Sequence, residues 1–143
     1  MEKTPADALS MIRAYYESLP QRMSRARELA GSPLTLAEKI LYAHWDQGNV
    51  GKAIRGESTV ALRPDRVAMQ DATAQMAILQ FMTAGKNVVA APTTIHCDHL
   101  IRAKDGAIKD LQVAESTNHE VYEFLASAAS KYGMGFWKPG SGI

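Results

Sequence analysis

Cysteine is almost absent from this sequence: Cys97 is the one residue of that type among 143. A single thiol cannot form a disulfide within its own chain, and cysteine-poor chains are typical of reducing compartments. A fold held together by disulfides is therefore excluded, and stability has to come from a packed core. A chain of this length can bury roughly 70% of its extended surface, which is enough for such a core.

The sequence also lacks long hydrophobic runs and an excess of charge. No apolar stretch approaches the roughly 20 residues that cross a bilayer, and 16 basic side chains oppose 15 acidic ones. Neither membrane insertion nor attraction of nucleic acid by overall charge is expected. The first 30 residues mix acids with bases and fit neither a secretory leader nor a transit peptide. We therefore expect a cytoplasmic location, or an organelle matrix after loss of a presequence.

Helix signals dominate the first third of the chain. Thr4 before a proline is typical of a helix start. Pro20 is expected to interrupt this helix or to start a second one, and Gly31 is expected to be the stop. A capping box at residues 35–38 predicts a second helix through about residue 45. Its apolar stripe ends at His44, which we interpret as a partly buried helix residue and not as a ligand. The stripe consists of Leu36, Ile40 and His44.

Strands and helices alternate in the rest of the chain, after a glycine-rich loop at residues 47–58. This order predicts a three-layer α/β/α sandwich with a mainly parallel sheet, preceded by a helical segment. The predicted elements are a strand at residues 67–69, a helix from Asp71 to Gly85, a strand at 88–91, a polar connection at 102–112, a capping box at 117–120, a helix ending at Gly133 with Val121, Leu125, Ala128 and Tyr132 on its buried face, and a strand at 134–137.

Polar groups follow both of the first two predicted strands. Gln70 comes directly after one, and the cluster His96, Cys97, Asp98 and His99 follows the next. If the two strands are neighbours, these groups face one crevice at the carboxyl edge of the sheet. An Asp–His pair is suited to acid–base chemistry and a carboxamide to binding a small polar substrate. Adjacent strand residues point to opposite faces, so Asp98 and His99 cooperate only if they lie on a loop.

Less specific interpretations of the same residues stay open. Asp98 can cap a turn and His99 can be a structural histidine, and residue type alone favours this reading. A zinc site is weaker, because the chain has no second ligand pair at metal spacing. Cys97 is expected to be a buried filler. The run Gly140-Ser141-Gly142 can hold an anion with backbone amides, but a plain turn is the simpler interpretation.

Around these residues the sequence strongly resembles the aconitase family. The resemblance lies in four segments that occur in order: residues 33–40, 62–76, 94–101 and 131–143. It implies a hydro-lyase that converts citrate to cis-aconitate and then to isocitrate on a [4Fe–4S] cluster. By this resemblance Gln70 matches the family's substrate-binding glutamine, and Asp98 and His99 match its paired acid residues, the histidine assisting departure of the substrate hydroxyl as water.

The three cluster cysteines and the serine base of the family have no counterpart among these 143 residues, and Cys97 matches a cysteine that is not a ligand. We therefore expect the amino-terminal portion of a longer polypeptide, with residues 1–32 as a helical segment and 33–143 as a first α/β domain truncated at its C-terminus. Its partners would be the tricarboxylate substrates and the remainder of the polypeptide. The chain alone is expected to be inactive. The alternative is a non-catalytic module derived from an aconitase, serving in structure or interaction.

Overall fold

The computed structural model describes residues 5–48 and 50–142. The chain forms two compact units, Met1–Asp65 and Arg66–Ile143. The expected helix cap at Thr4 and the terminal Ile143 lie outside the described residues. No helix in the described ranges is long and apolar enough to cross a membrane. In chain order the elements are α1 (Pro5–Ala30), α2 (Leu36–His44), β1 (Val67–Gln70), α3 (Asp71–Thr83), β2 (Thr93–His96), α4 (Ala107–Thr117), α5 (His119–Tyr132) and β3 (Gly135–Trp137).

Helix α1 runs through Pro20 without interruption, so the predicted break there is wrong. Proline inside a helix costs about 3 kcal/mol, because it lacks an N–H and its ring crowds the preceding turn. Packing on both sides of the proline offsets this cost. Leu19 before it and Met23 and Ala26 after it belong to one apolar cluster, which continues into Tyr42, Ala43 and Trp45.

The capping box at the start of α2 is confirmed. The backbone N–H of Glu38 donates to Thr35 Oγ1 at 3.3 Å, and Glu38 Oε2 accepts from the backbone N–H of Thr35 at 2.8 Å. Hydrogen bonds from the backbone N–H and from the hydroxyl of Thr35 to the Glu38 carboxylate hold the pKa of Glu38 below its usual value. The predicted apolar stripe is wrong, since Leu36 and Ile40 are exposed. The face that α2 buries is set by its packing against α1, where an Arg22 guanidinium donates to a carbonyl of α2.

The second unit contains a parallel three-stranded sheet in the order β1-β2-β3. Helices α3 and α5 pack against each other and against this sheet. Met69, Ile95 and Phe136 lie side by side across the strands and pack in the cluster that the helices share. The α/β class is thereby confirmed, while the third layer of the predicted sandwich stays a prediction.

The second predicted strand is misplaced by several residues. Val88 is 71% exposed and belongs to an irregular segment, whereas β2 begins at Thr93. The physical reason lies in pairing: β2 is the central strand and hydrogen-bonds to both neighbours, and its Ile95 is fully buried. The apolar run at residues 88–91 has no such partners in the described chain.

The segment before α5 also differs from expectation. Helix α4 occupies much of the predicted polar connection, and no capping box opens α5. Asn118 ends α4 and starts α5 directly, its side chain donating to the carbonyl of Ala114 at 3.1 Å. The predicted buried face of α5 and its stop at Gly133 are confirmed. Strand β3 is confirmed to within one residue.

Candidate functional site

The carboxyl ends of β1 and β2 are neighbours. Gln70, the last residue of β1, stands opposite His96, the last residue of β2, in the parallel register. The chain then enters α3 after Gln70, and a turn after Cys97. Asp98 and His99 therefore lie outside the strand, on a turn closed by the N–H of Ile101 donating to the carbonyl of Asp98 at 3.3 Å. Gln70 is exposed at this edge.

The Asp98 carboxylate is held by the turn that follows β3. The backbone N–H of Gly140 donates to Asp98 Oδ1 at 2.7 Å. Gly140 has φ +80°, and a Cβ there would lie 2.9 Å from Leu111 Cδ2, so both its backbone and its surroundings favour glycine. The glycine-rich run is thus a turn, and one of its amides binds an anion that belongs to the chain itself.

His99 faces a different carboxylate. Its Nδ1 lies 3.5 Å from Oδ1 of Asp71, the first residue of α3. The His99 side chain is 25% exposed, whereas the Asp71 side chain is fully buried. The structure therefore brings His99 to Asp71, while the hydrogen bond of Asp98 goes to Gly140.

Two protonated groups lie in the field of these carboxylates. Burial, together with the charges of Asp71 and Asp98, raises the pKa of the Cys97 thiol to about 12. Burial, followed by the charge of Asp71, likewise raises the pKa of Tyr122 to about 12. Both groups stay neutral near pH 7. Asp71 Oδ2 is buried and has no hydrogen-bond partner among the described residues.

His96 is packed into the sheet, and its contacts are with other strand residues. Its ring lies 5.2 Å from that of Trp137, and its Nε2 is 3.0 Å from Thr94 Oγ1. The residue is 7% exposed, and its Nδ1 has no partner in the part of the chain that the structure describes. Of the four residues in the sequence cluster, His96 and Cys97 are thus structural neighbours of the site, and Asp98 and His99 stand at its edge.

The residues present do not fit a metal cluster. Within residues 5–48 and 50–142, no group of three potential ligands comes together. Cys97 is fully buried, and its raised pKa disfavours the thiolate that an iron–sulfur cluster requires.

Asp71 is the buried neighbour of His99 that sequence reasoning missed. An acidic residue that opens a helix is ordinarily interpreted as a favourable charge at the helix N-terminus. The register contained the signal: because residue 70 pairs with residue 96, the start of α3 lies beside the turn after β2. The sequence could have revealed this proximity only if the end of the second strand had been placed at His96.

Comparison with known proteins agrees with the resemblance seen in the sequence. The family model described as "Aconitase family (aconitate hydratase)" matches residues 38–143. A mitochondrial aconitate hydratase from Gracilaria gracilis is 53% identical over 140 residues, which is 98% of this chain and 18% of that protein. The mitochondrial aconitate hydratase of Aspergillus fumigatus is 58% identical over 128 residues, 90% of this chain and 16% of that protein.

A third relative, the mitochondrial aconitate hydratase of Candida albicans, is 62% identical over 111 residues, 78% of this chain and 14% of that protein. The chain therefore spans less than a fifth of the length of these relatives. The family model covers well over half of the chain, in the same region that holds the sheet and the polar edge. The chain belongs to the aconitase family.

Proposed function

We propose that this chain is the amino-terminal part of an aconitate hydratase, a hydro-lyase that interconverts citrate and isocitrate through cis-aconitate. Family membership and the names of its relatives support the reaction class. The observation that carries the proposal is the strand register. Because Gln70 lies opposite His96, a carboxamide and the turn bearing Asp98 and His99 share one edge of the sheet. That edge is where parallel α/β sheets bind their ligands.

Each of the three residues has a distinct role in this proposal. The exposed Gln70 carboxamide can donate to a substrate carboxylate and accept from a hydroxyl. His99, as an imidazolium, delivers a proton to the departing hydroxyl, which leaves as water. The Asp98 carboxylate, held in place by the Gly140 amide, is the other member of the acid pair.

The [4Fe–4S] cluster that the family implies would be ligated by parts of the polypeptide outside these 143 residues. When bound, it supplies a Lewis-acidic iron for the substrate hydroxyl. The residues of this chain contribute substrate binding and proton transfer. Their partners are therefore citrate, cis-aconitate, isocitrate and the remainder of the polypeptide.

The same proposal extends to architecture and location. We infer that the helix-covered sheet is part of a three-layer α/β/α sandwich in the longer protein, with residues 33–143 belonging to its first domain and residues 1–32 to a helical segment. The names of the relatives favour the mitochondrial matrix, and a bacterial cytoplasm is the other expectation.

The experiment is steady-state kinetics of a complete, cluster-loaded enzyme that carries this segment, with citrate and with isocitrate. Replacing His99→Ala should lower turnover about 10²–10⁴-fold, the range for loss of a general acid. His119→Ala is the matched control, because His119 is exposed on α5 and pairs with Glu123 one helical turn away. Gln70→Ala should act in part through substrate affinity. Near-normal turnover for His99→Ala would remove His99 from the mechanism and leave it as a structural histidine.

A further inference from the structure

Helix α3 has an outer face that is exposed in this chain and carries no charge. Three apolar side chains define this outer face: Met76 is 63% exposed, Leu79 46% and Met82 37%. The remaining exposed residues of the helix are alanines, threonines and a glutamine, and its one charged residue, Asp71, is buried. A helix face in contact with water ordinarily carries charged residues. The composition of α3 is therefore that of a helix covered on both sides.

The inner side of α3 is already occupied. Ala74 and Ile78 are fully buried and belong to the cluster that the sheet and α5 share. The helix cannot rotate its outer face into this core without exposing these two residues to water. The outer face therefore needs a cover of its own.

The two neighbouring helices show how an exposed face differs from the outer face of α3. Helix α4 exposes Val113 to 44%, but it also exposes Lys109 and Glu115. Helix α5 exposes Glu120 and Lys131. Single apolar residues among charges are normal on a protein surface. What distinguishes α3 is that apolar residues recur on one face with no charge between them.

We propose that a later part of the longer polypeptide packs on the outer face of α3 through an uncharged, mainly apolar surface. This inference rests on the proposed function, by which this chain is the amino-terminal part of that polypeptide. The chain covers 18% of one relative and 16% of another, so most of such a protein lies outside these residues. A covering surface in the same polypeptide has a high effective concentration, and it needs no charged residues to steer its encounter with α3.

The position of the outer face connects this docking to the candidate site. Helix α3 begins directly after Gln70. Met76 follows six residues later, which corresponds to about 9 Å along the helix axis. A segment packed on the outer face lies beside the carboxyl edge of the sheet, and it fixes the position of the later part of the polypeptide relative to Gln70.

The first test is microsecond hydroxyl-radical labelling, read by mass spectrometry, of a complete enzyme that carries this segment. Met76 and Met82 should be labelled as slowly as the buried Met23. In the 143-residue chain, Met76 should be labelled several-fold faster than Met23. Rapid labelling of Met76 in the folded complete enzyme would overturn the proposal. Protection that disappears when this enzyme is diluted until it is monomeric would assign the outer face to a second copy, and would overturn the proposal as well.

The second test compares Leu79→Lys with Val113→Lys, because the two side chains are almost equally exposed in this chain. In the complete enzyme, Leu79→Lys should lower the midpoint of thermal unfolding and speed the labelling of Met76, since burial of an unpaired ammonium group costs free energy. Val113→Lys should change neither. In the 143-residue chain, both variants should keep the urea midpoint of the unmodified chain, because both sites face water.

Two results of this comparison would refute the docking proposal. One is an equal effect of the two replacements on the complete enzyme. The other is a large loss of stability for Leu79→Lys in the 143-residue chain, which would show that Leu79 supports the core of the chain itself. The two proposals also fail separately. If His99→Ala abolishes turnover while Met76 reacts freely in the complete enzyme, the docking proposal fails and the proposed function stands. If Met76 is protected while His99→Ala turns over normally, the docking proposal stands and the catalytic role of His99 fails.

Discussion

Replacing Gly140→Ala tests the turn that holds Asp98. Gly140 has φ +80°, and a residue with a Cβ pays about 1–2 kcal/mol in this left-handed region. The added methyl would also lie 2.9 Å from Leu111 Cδ2. Because that atom is the end of a flexible, partly buried side chain, it can move, and an off-rotamer displacement costs about 0.5–1.5 kcal/mol. The expected loss of unfolding free energy is therefore about 1.5–3.5 kcal/mol in total.

Gly133→Ala is the matched control. Gly133 has φ +71°, close to that of Gly140, but nothing lies within 4 Å of where its Cβ would stand. It should cost only the backbone part, about 1–2 kcal/mol. Urea unfolding of both variants, followed by tryptophan fluorescence and circular dichroism, measures the difference. Equal losses for the two variants would refute the argument that Leu111 closes the space around Gly140.

The Gly140→Ala variant also tests whether the Asp98 carboxylate depends on this turn. If the turn shifts to relieve the methyl contact, the Gly140 amide moves away from Asp98 Oδ1, and the short 2.7 Å hydrogen bond weakens. The backbone amide resonance of residue 140 and those of residues 98–101 should then shift together. A change confined to the immediate neighbours of residue 140 would show that Asp98 does not depend on this turn.

Three further predictions concern burial and charge. Cys97 should resist alkylation at pH 8 in the folded chain and react after unfolding, because its pKa is raised to about 12 by burial and nearby carboxylates; rapid labelling of the native chain, followed by mass spectrometry, would contradict this. Leu125→Ala should cost about 2–5 kcal/mol in urea unfolding, since Leu125 is fully buried, and a loss below that range would mean that the core is loosely packed there. Desolvation opposes ionisation of Asp110, but hydrogen bonds from three backbone amides outweigh it and lower its pKa. The stabilisation by Asp110 is therefore present above its unfolded-state pKa and lost as pH falls through its folded-state pKa. The unfolding free energy should fall less steeply with decreasing pH for Asp110→Asn than for the unmodified chain, and equal slopes would contradict this.

Local signals in the sequence predicted the features that depend on neighbouring residues. The capping box at Thr35 and Glu38 needs only a hydroxyl and a carboxylate three positions apart. The stop of α5 at Gly133 needs only a residue that accepts a left-handed backbone. Both were predicted correctly because neighbouring residues are enough to form them.

Features that depend on distant residues were predicted less well. The apolar residues 88–91 have the composition of a strand, yet β2 lies further along, where it hydrogen-bonds on both sides. Pro20 carries a strong local signal for a break, but packing of α1 on both sides of it prevails. Asp71 has the local character of a helix-start acid, and its contact with His99 follows only from the strand register. In each case tertiary contacts overrode or added to the local preference.

Contacts from two neighbouring elements attach the turn that carries His99 to the rest of the sheet. The turn is attached at Asp98 to the Gly140 amide beyond β3, and at His99 to Asp71 at the start of α3. Both attachments come from elements that pack on the same sheet, so the ring position follows the sheet geometry. A proton-transferring group loses efficiency with small displacements. Attachment at two consecutive residues, from opposite neighbours of β2, restricts both the position of the turn and the orientation of the ring.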